Sequence, residues 1–180
     1  MSIFEWLGFS SNDNNAPSVQ ESSAVNDIVV RLKHLDPGRA RWVAAFAMVM
    51  ARAARADFEI SGEEFQAMER ILREYGGLDA EQSTLAAEMA AHRNQLLGAS
   101  EDYLATREFR KIAAEGDSQK VLHCLFAVSA ADDSISLVEE EEIRQVANEL
   151  GVEHAEFNAI RARFRDKREI LKKTARKTDG

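Results

Sequence analysis

Apolar residues recur along this chain every three or four positions, as they do on the buried face of an amphipathic helix. Phe65, Met68 and Leu72 show this spacing in a segment that ends at a pair of glycines, a usual stop for a helix. Residues 42–51 are apolar on every side, which is typical of a helix surrounded by neighbours. No segment alternates apolar and polar residues as a half-buried strand does.

These patterns predict an all-α protein, a bundle of about eight helices with short connections. The sequence Asp36-Pro37-Gly38 ends the first predicted helix. The predicted helices cover residues 24–35, 39–56, 62–75, 80–97, 101–115, 118–131, 137–150 and 153 to about 173.

The chain contains an internal repeat, because a shift of 75 residues superimposes residues 40–77 on residues 115–152 without a gap. Each copy carries the pattern D-x-x-I-S-x-x-E in its loop, and apolar character is kept at the positions between identities. We therefore expect two similar units packed with pseudo-twofold symmetry. The identical pairs are Asp57 and Asp132, Ile60 and Ile135, Ser61 and Ser136, Glu64 and Glu139, and Gly76 and Gly151.

Helix initiation explains part of the repeated pattern. A serine followed three residues later by a glutamate is a capping box, in which both side chains satisfy unpaired backbone N–H groups. Ile60 can also pack on Phe65 as a hydrophobic staple in the first copy, whereas Glu140 takes the place of Phe65 in the second. The predicted capping boxes are Ser61 with Glu64 and Ser136 with Glu139.

The repeated aspartates are less easily explained, because Asp57 and Asp132 fall near helix C-termini, where the helix dipole disfavours negative charge. A turn bond to nearby backbone, or an arginine such as Arg52 or Arg55, would compensate this charge. A divalent cation is the alternative, since hard cations take several oxygen ligands. The candidate metal ligands are Asp57, Glu59 and Glu63 in the first loop, and Asp132, Asp133 and Glu140 in the second.

The loops do not form EF-hands, although their pattern matches the second half of an EF-hand loop. Two further ligands would fall on Ala53 and Arg55 in the first copy, and on Val128 and Ala130 in the second. None of these side chains suits calcium. The cation, if bound, needs another geometry.

The net charge of −8 hides a strong division along the chain. Residues 1–160 carry 14 Lys and Arg against 28 Asp and Glu, whereas residues 161–177 carry nine basic residues against two acidic ones. Phosphate binding needs clustered cations, so the acidic body argues against nucleic acid as a partner. We divide the chain into a flexible segment 1–23, a helical domain 24–165 and a basic end 166–180.

The two ends of the chain are candidate contact surfaces. Residues 1–9 form a short aromatic tip, which the polar residues 10–23 connect to the body. The tip is a candidate to dock on the body, on a protein partner or at a membrane interface. The basic end is a candidate to touch an anionic membrane leaflet or to pair with the acidic body. The apolar residues of the tip are Ile3, Phe4, Trp6, Leu7 and Phe9.

The sequence offers little material for an enzyme. None of its four histidines lies with another at metal-ligand spacing, and no phosphate-cradling glycine loop occurs. His123 and Cys124 are neighbours on a predicted helix and point about 100° apart, so we interpret both as core residues. A carboxylate-based hydrolase is the less favoured alternative. The ten apolar residues 42–51 are too few for a membrane span of about 20, and no secretory leader is evident, so we expect a cytoplasmic protein.

Two segments, Ala-Arg-Ala-Asp-Phe-Glu-Ile-Ser-Gly-Glu-Glu at 54–64 and Ser-Ala-Ala-Asp-Asp-Ser-Ile-Ser-Leu-Val-Glu at 129–139, carry a family likeness. The chain resembles the tellurite-resistance TerB family over residues 24–165. Phe58 and Asp133 stand where that family usually has glycine. The resemblance implies a cytoplasmic, non-enzymatic helical module of a tellurite- or phage-resistance stress response, connected with membrane-associated complexes. Related domains also occur beside the J-domains of co-chaperones.

Overall fold

The computed structural model describes residues 23–53, 61–92, 96, 102–131 and 134–168. Within these ranges the chain forms eight α-helices and a short 3-10 helix, so the predicted all-α bundle is confirmed. The helices are α1 (Ser23–His34), α2 (Pro37–Ala53), α3 (Gly62–Glu74), α4 (Ala80–Ala91), α5 (Asp102–Ile112), α6 (Asp117–Ala131), α7 (Leu137–Leu150) and α8 (His154–Ala162), and the 3-10 helix is Arg165–Lys167.

Helix α2 lies at the centre of the bundle. Residues 42–51 are all buried, as the uninterrupted apolar run predicted. The helix packs against α4, α5, α6 and α7, so each of its sides meets another helix. Phe46 stacks on Trp42 and meets the edge of Phe109, with ring centroids 4.9 Å and 5.9 Å apart. The core of the described part of the chain is therefore organised around α2.

Helix α2 begins two residues earlier than the sequence predicted. The carboxylate of Asp36 accepts hydrogen bonds from the backbone N–H groups of Gly38 and Arg39 at 3.0 and 3.1 Å. Pro37 is the first residue of the helix, where its missing N–H group costs nothing. The residues that end α1 thus also begin α2.

Three predicted helix ends are wrong, and the first is α5, which ends at Ile112 rather than at residue 115. Helix α4 ends at Ala91 rather than continuing to residue 97, and the Nδ1 atom of its C-cap residue, His92, lies 2.8 Å from the carbonyl oxygen of Glu88. Helix α8 ends at Ala162 rather than near residue 173. The chain turns there because Phe164 stacks on Phe126, with ring centroids 5.5 Å apart.

Gly76 and Gly151, which the repeat pairs, have different structural roles. Gly151 has a φ of 73° and ends α7 in the left-handed conformation, with the N–H of Val152 donating to the carbonyl of Ala147. In the first copy the left-handed residue is Gly77, with a φ of 69°. Gly76 is required for close packing instead, because a Cβ atom there would lie 2.5 Å from the carbonyl oxygen of Leu72. The copies therefore differ by one residue at this turn.

Candidate functional site: the two acidic loops and their surroundings

Both capping boxes form as the sequence predicted. The hydroxyl of Ser61 accepts from the N–H of Glu64 at 3.3 Å, and the Glu64 carboxylate accepts from the N–H of Ser61 at 2.7 Å. The corresponding distances for Ser136 and Glu139 are 3.2 and 2.8 Å. The hydrogen bonds from the side chain and backbone of Ser61 lower the pKa of Glu64. Four residues of the repeated pattern are thus occupied in starting α3 and α7.

Four of the six candidate metal ligands, Asp57, Glu59, Asp132 and Asp133, lie outside the described residues. Glu63 lies exposed in the first turn of α3. Glu140 is buried in α7. Among the residues that the structure describes, no three His, Cys, Asp or Glu side chains lie close enough together to hold a metal ion.

Glu140 is bound by arginines rather than left free for a cation. Arg168 donates two hydrogen bonds to its carboxylate, from Nε to Oε2 at 2.7 Å and from Nη2 to Oε1 at 2.9 Å. Arg161 donates a third at 3.1 Å. Burial favours the neutral acid, but the hydrogen bonds and charges of the two arginines outweigh it and lower the pKa of Glu140. We therefore remove Glu140 from the candidate ligands.

The backbone next to Glu140 reinforces this contact. Ile135, which is 1% exposed, donates its N–H to the carbonyl oxygen of Lys167 at 2.8 Å. Ile135 and Arg168 form an isolated parallel β-bridge. The second loop is thus held by the chain that follows α8. We call the contacts of Glu140, Ile135, Arg161 and Arg168 the C-terminal clasp.

The first copy cannot form an equivalent clasp, because Phe65 occupies the position of Glu140. Phe65 is half-buried against the hydrophobic core. A phenyl ring has no oxygen to accept the hydrogen bonds that Glu140 accepts from Arg168. The two copies have therefore diverged at this position, where the second carries an acid bound by arginines and the first carries a phenyl ring.

Arg52 forms a second buried ion-pair cluster, between α2 and α7. Its side chain is 6% exposed and donates to Glu142 and Glu149, each at 2.6 Å. Thr106 of α5 donates to the same oxygen of Glu149 at 2.5 Å. Arg52, one of two arginines that the sequence offered to compensate the charge of Asp57, thus binds α7. It joins three helices through one charge.

Asp117 connects the starts of α2 and α6. Its carboxylate accepts from the indole N–H of Trp42 at 2.8 Å, from the N–H of Ala114 at 2.9 Å, and from the Lys120 ammonium at 2.9 Å. Burial favours the neutral acid, but these hydrogen bonds outweigh it and lower the pKa of Asp117. Trp42 and Asp117 are 75 residues apart, so equivalent positions of the two repeats touch each other.

Cys124 and His123 do not form a nucleophilic pair. Cys124 is fully buried, and its Sγ lies 3.8 Å from the carbonyl oxygen of Ile71. Burial raises the pKa of this thiol far above its usual range. His123 is only half-buried and stacks on Tyr75 with ring centroids 6.1 Å apart. Burial, followed by the charge of nearby Arg163, lowers the pKa of His123.

None of the helices in the described part of the chain has the length and apolar character that a membrane crossing requires. Comparison with curated proteins and with solved structures gives no significant match. The family described as tellurite resistance protein TerB matches residues 43–162. This match runs from the buried α2 to the end of α8 and includes both loops and both capping boxes. The chain therefore belongs to the TerB family.

Proposed function

We propose that this chain is a non-enzymatic adaptor of a tellurite-resistance stress response, and that it acts by binding a protein partner. Membership of the TerB family supports the setting. The observation that carries the adaptor role is that the buried acids of the described helices are neutralised inside the protein. Glu108, Asp117 and Glu140 are buried, and each accepts hydrogen bonds from cationic side chains. A general acid or base needs a proton to exchange with a substrate, and these groups are committed to structure.

The aromatic tip of residues 1–9 is the surface that we assign to the partner. It holds five large apolar residues in nine positions and belongs to neither repeat. Large apolar side chains give binding sites most of their energy. An adaptor that docks through this segment would present its helical domain to the other members of a protein complex. We place that complex at the inner face of the membrane.

Gene deletion tests this proposal in the cell that carries the gene. We expect deletion to lower the tellurite concentration that halves growth, and the full chain to restore it. A chain lacking residues 1–10 should fail to restore it. A chain lacking residues 11–20 is the matched control, because it loses the same number of residues and keeps the tip.

The outcomes separate the alternatives. An unchanged tolerance after deletion would refute the tellurite setting. Equal rescue by the two shortened chains would refute docking through the tip, and it would favour a function of the helical body such as hydrolysis. Circular dichroism of both purified chains checks that neither deletion unfolds the helices.

We propose that the first loop, rather than the second, is the one that binds a cation. With Glu140 bound to arginines, the second loop retains Asp132 and Asp133. The first loop retains three acids, of which Glu63 is exposed. More carboxylate oxygens give a hard cation tighter binding.

Calorimetric titration with calcium, magnesium, manganese and zinc measures cation binding directly. Asp57→Asn should abolish the heat of binding, whereas Asp132→Asn, its equivalent in the repeat, should leave most of it. A wild-type protein that binds none of the four metals would end the cation hypothesis. The adaptor proposal would stand, because it does not depend on a metal.

The basic residues of 161–177 offer fewer charges to a membrane than the sequence suggests. Arg161 and Arg168 are engaged with Glu140. Attraction to an anionic leaflet is worth about 1 kcal/mol for each basic residue near its surface, so each engaged arginine weakens it. Sedimentation with anionic liposomes should therefore show weak, salt-sensitive binding that Glu140→Gln increases.

A further inference from the structure

His123 of α6 faces the turn that follows α8, where it meets an arginine and two aromatic rings. Its imidazole stacks on Tyr75 with ring centroids 6.1 Å apart, and it lies 6.5 Å from the ring of Phe164. Its Nε2 atom is 3.4 Å from Nη1 of Arg163, the C-cap residue of α8. The histidine is therefore part of the contact that holds the end of α8 on α6.

The contact between His123 and Arg163 determines where the imidazole carries its proton. A guanidinium group only donates hydrogen bonds, so Nε2 of His123 accepts the one from Arg163. The neutral ring then holds its hydrogen on Nδ1, which is buried and has no partner among the described residues. A second proton can bind only at Nε2, the atom that accepts from Arg163. Protonation therefore removes this hydrogen bond and places two cations against each other.

Other charged groups near His123 pair with residues other than the imidazole. Helices α2 and α7 also pack on α6, but no charge on their described residues shifts the His123 pKa. Burial lowers that pKa most, followed by the charge of Arg163, and both effects favour the neutral ring. The other pairs are Glu74 with Tyr75 at the end of α3, Glu156 of α8 with Gln119, and Lys120 with Asp117 on α6 itself.

The turn that His123 contacts leads directly into the C-terminal clasp. The 3-10 helix that follows Arg163 ends at Lys167, whose carbonyl accepts from the N–H of Ile135 at 2.8 Å. The next residue, Arg168, binds Glu140. A displacement of Arg163 away from α6 therefore moves the residues that hold the second loop.

We propose that His123 is an acid-sensitive switch, whose protonation repels Arg163 and loosens the C-terminal clasp. Because the closed clasp favours the neutral ring, the open form binds a proton more tightly, and acid shifts the population toward it. The stability that this contact gives the clasp is complete above the ordinary histidine pKa, and it falls as pH drops from there through the lowered pKa of the closed form. Glu140 remains ionised in this range because its own pKa is lowered. This regulation goes beyond the proposed adaptor role and does not depend on it.

Amide hydrogen exchange at Ile135 tests the switch in the full chain. The N–H of Ile135 is protected by its hydrogen bond to Lys167, so its protection factor falls when the clasp opens. We expect this factor, corrected for the intrinsic exchange rate, to fall several-fold between about pH 7.5 and about pH 5.5. The N–H of Val152, which donates to Ala147 at the end of α7, is the internal reference and should keep its protection.

Three variants make the test specific, and circular dichroism checks that each is folded. His123→Gln keeps an acceptor for Arg163 but does not titrate, so it should remove most of the pH dependence. His154→Gln is the matched control, because it removes an exposed histidine at the start of α8 and should keep the dependence. Arg163→Gln should raise the His123 pKa toward its ordinary value in an NMR titration of the ring and weaken the response at Ile135.

Four results would each overturn the proposal. The first is an Ile135 protection factor that does not change with pH, or that changes no more than that of Val152. The second is a pH dependence that survives His123→Gln, and the third is one that His154→Gln removes. The fourth is a wild-type His123 pKa at or above its ordinary value, because the closed clasp would then favour the protonated ring.

Discussion

Replacement of Arg52 by methionine removes the charge that joins α2 to α7. Methionine keeps most of the apolar stem but cannot donate to Glu142 or Glu149. Both carboxylates then remain near the interface without their shared cation. Their exposures, 34% for Glu142 and 15% for Glu149, decide how much water can compensate.

The expected loss in the free energy of unfolding follows from the exposures of Glu142 and Glu149. Removing one partner of a fully buried ion pair costs about 3–5 kcal/mol. Because both acids retain some contact with water and Thr106 still donates to Glu149, we expect a loss of about 2–3 kcal/mol at pH 7. For a chain of this length that corresponds to a fall in melting temperature of roughly 5–10 °C.

The cost should also depend on pH. In the wild type, burial opposes ionisation of Glu149, but hydrogen bonds from Arg52 and Thr106 outweigh it and lower the pKa. A lowered folded-state pKa gives stability that is present above the ordinary glutamate value and lost as pH falls through the folded value. Without Arg52, burial dominates and the sign of the shift reverses. The difference between the two proteins should therefore be largest at pH 7, begin to shrink as pH falls through the raised Glu149 pKa of the variant, and be smallest below the lowered pKa of the wild type.

Urea unfolding at pH 7 and pH 4 measures both effects. Arg73→Met is the matched control, because Arg73 also occupies the last turn of a helix but is exposed. It should cost less than about 0.5 kcal/mol. Adding Glu149→Gln to Arg52→Met should recover part of the loss, since the buried charge is removed. A loss equal to that of Arg73→Met, or one independent of pH, would refute the reasoning.

Three smaller predictions concern other local features. Gly76→Ala should destabilise the protein by about 2 kcal/mol, because its methyl group would overlap the carbonyl oxygen of Leu72, whereas Gly62→Ala has open space and should be nearly neutral in the same urea assay. Ser136→Ala should cost about 1 kcal/mol by removing a capping box, and an unchanged urea midpoint would contradict that role. Cys124 should react with a thiol reagent slowly in buffer and rapidly in urea; fast labelling of the folded protein would contradict its burial.

Local features of the fold were predictable from the sequence. The capping box of Ser61 and Glu64 depends on residues three positions apart, and the burial of α2 follows from an apolar run without a polar face. Both are properties of short segments. The capping box and the buried helix depend on residues close together in the sequence and not on distant contacts, so sequence patterns identify them.

The contacts of the second loop could not be predicted in the same way. Glu140 and Arg168 are 28 residues apart, and they meet because α8 ends at Ala162. No glycine or proline marks that end, which is set by the packing of Phe164 on Phe126. The one sequence signal was the exchange of an apolar staple for an acid at position 140. The charge pattern alone suggested that Glu140 binds a metal cation, whereas in the fold its carboxylate binds Arg161 and Arg168.

The tellurite tolerance of a deletion strain rescued by shortened chains tests the proposed function most directly. We expect a chain lacking residues 11–20 to restore the tellurite concentration that halves growth to the wild-type value. A chain lacking residues 1–10, with an equally folded helical domain, should leave it at the value of the deletion strain. Full rescue by the chain that lacks the tip would contradict the account.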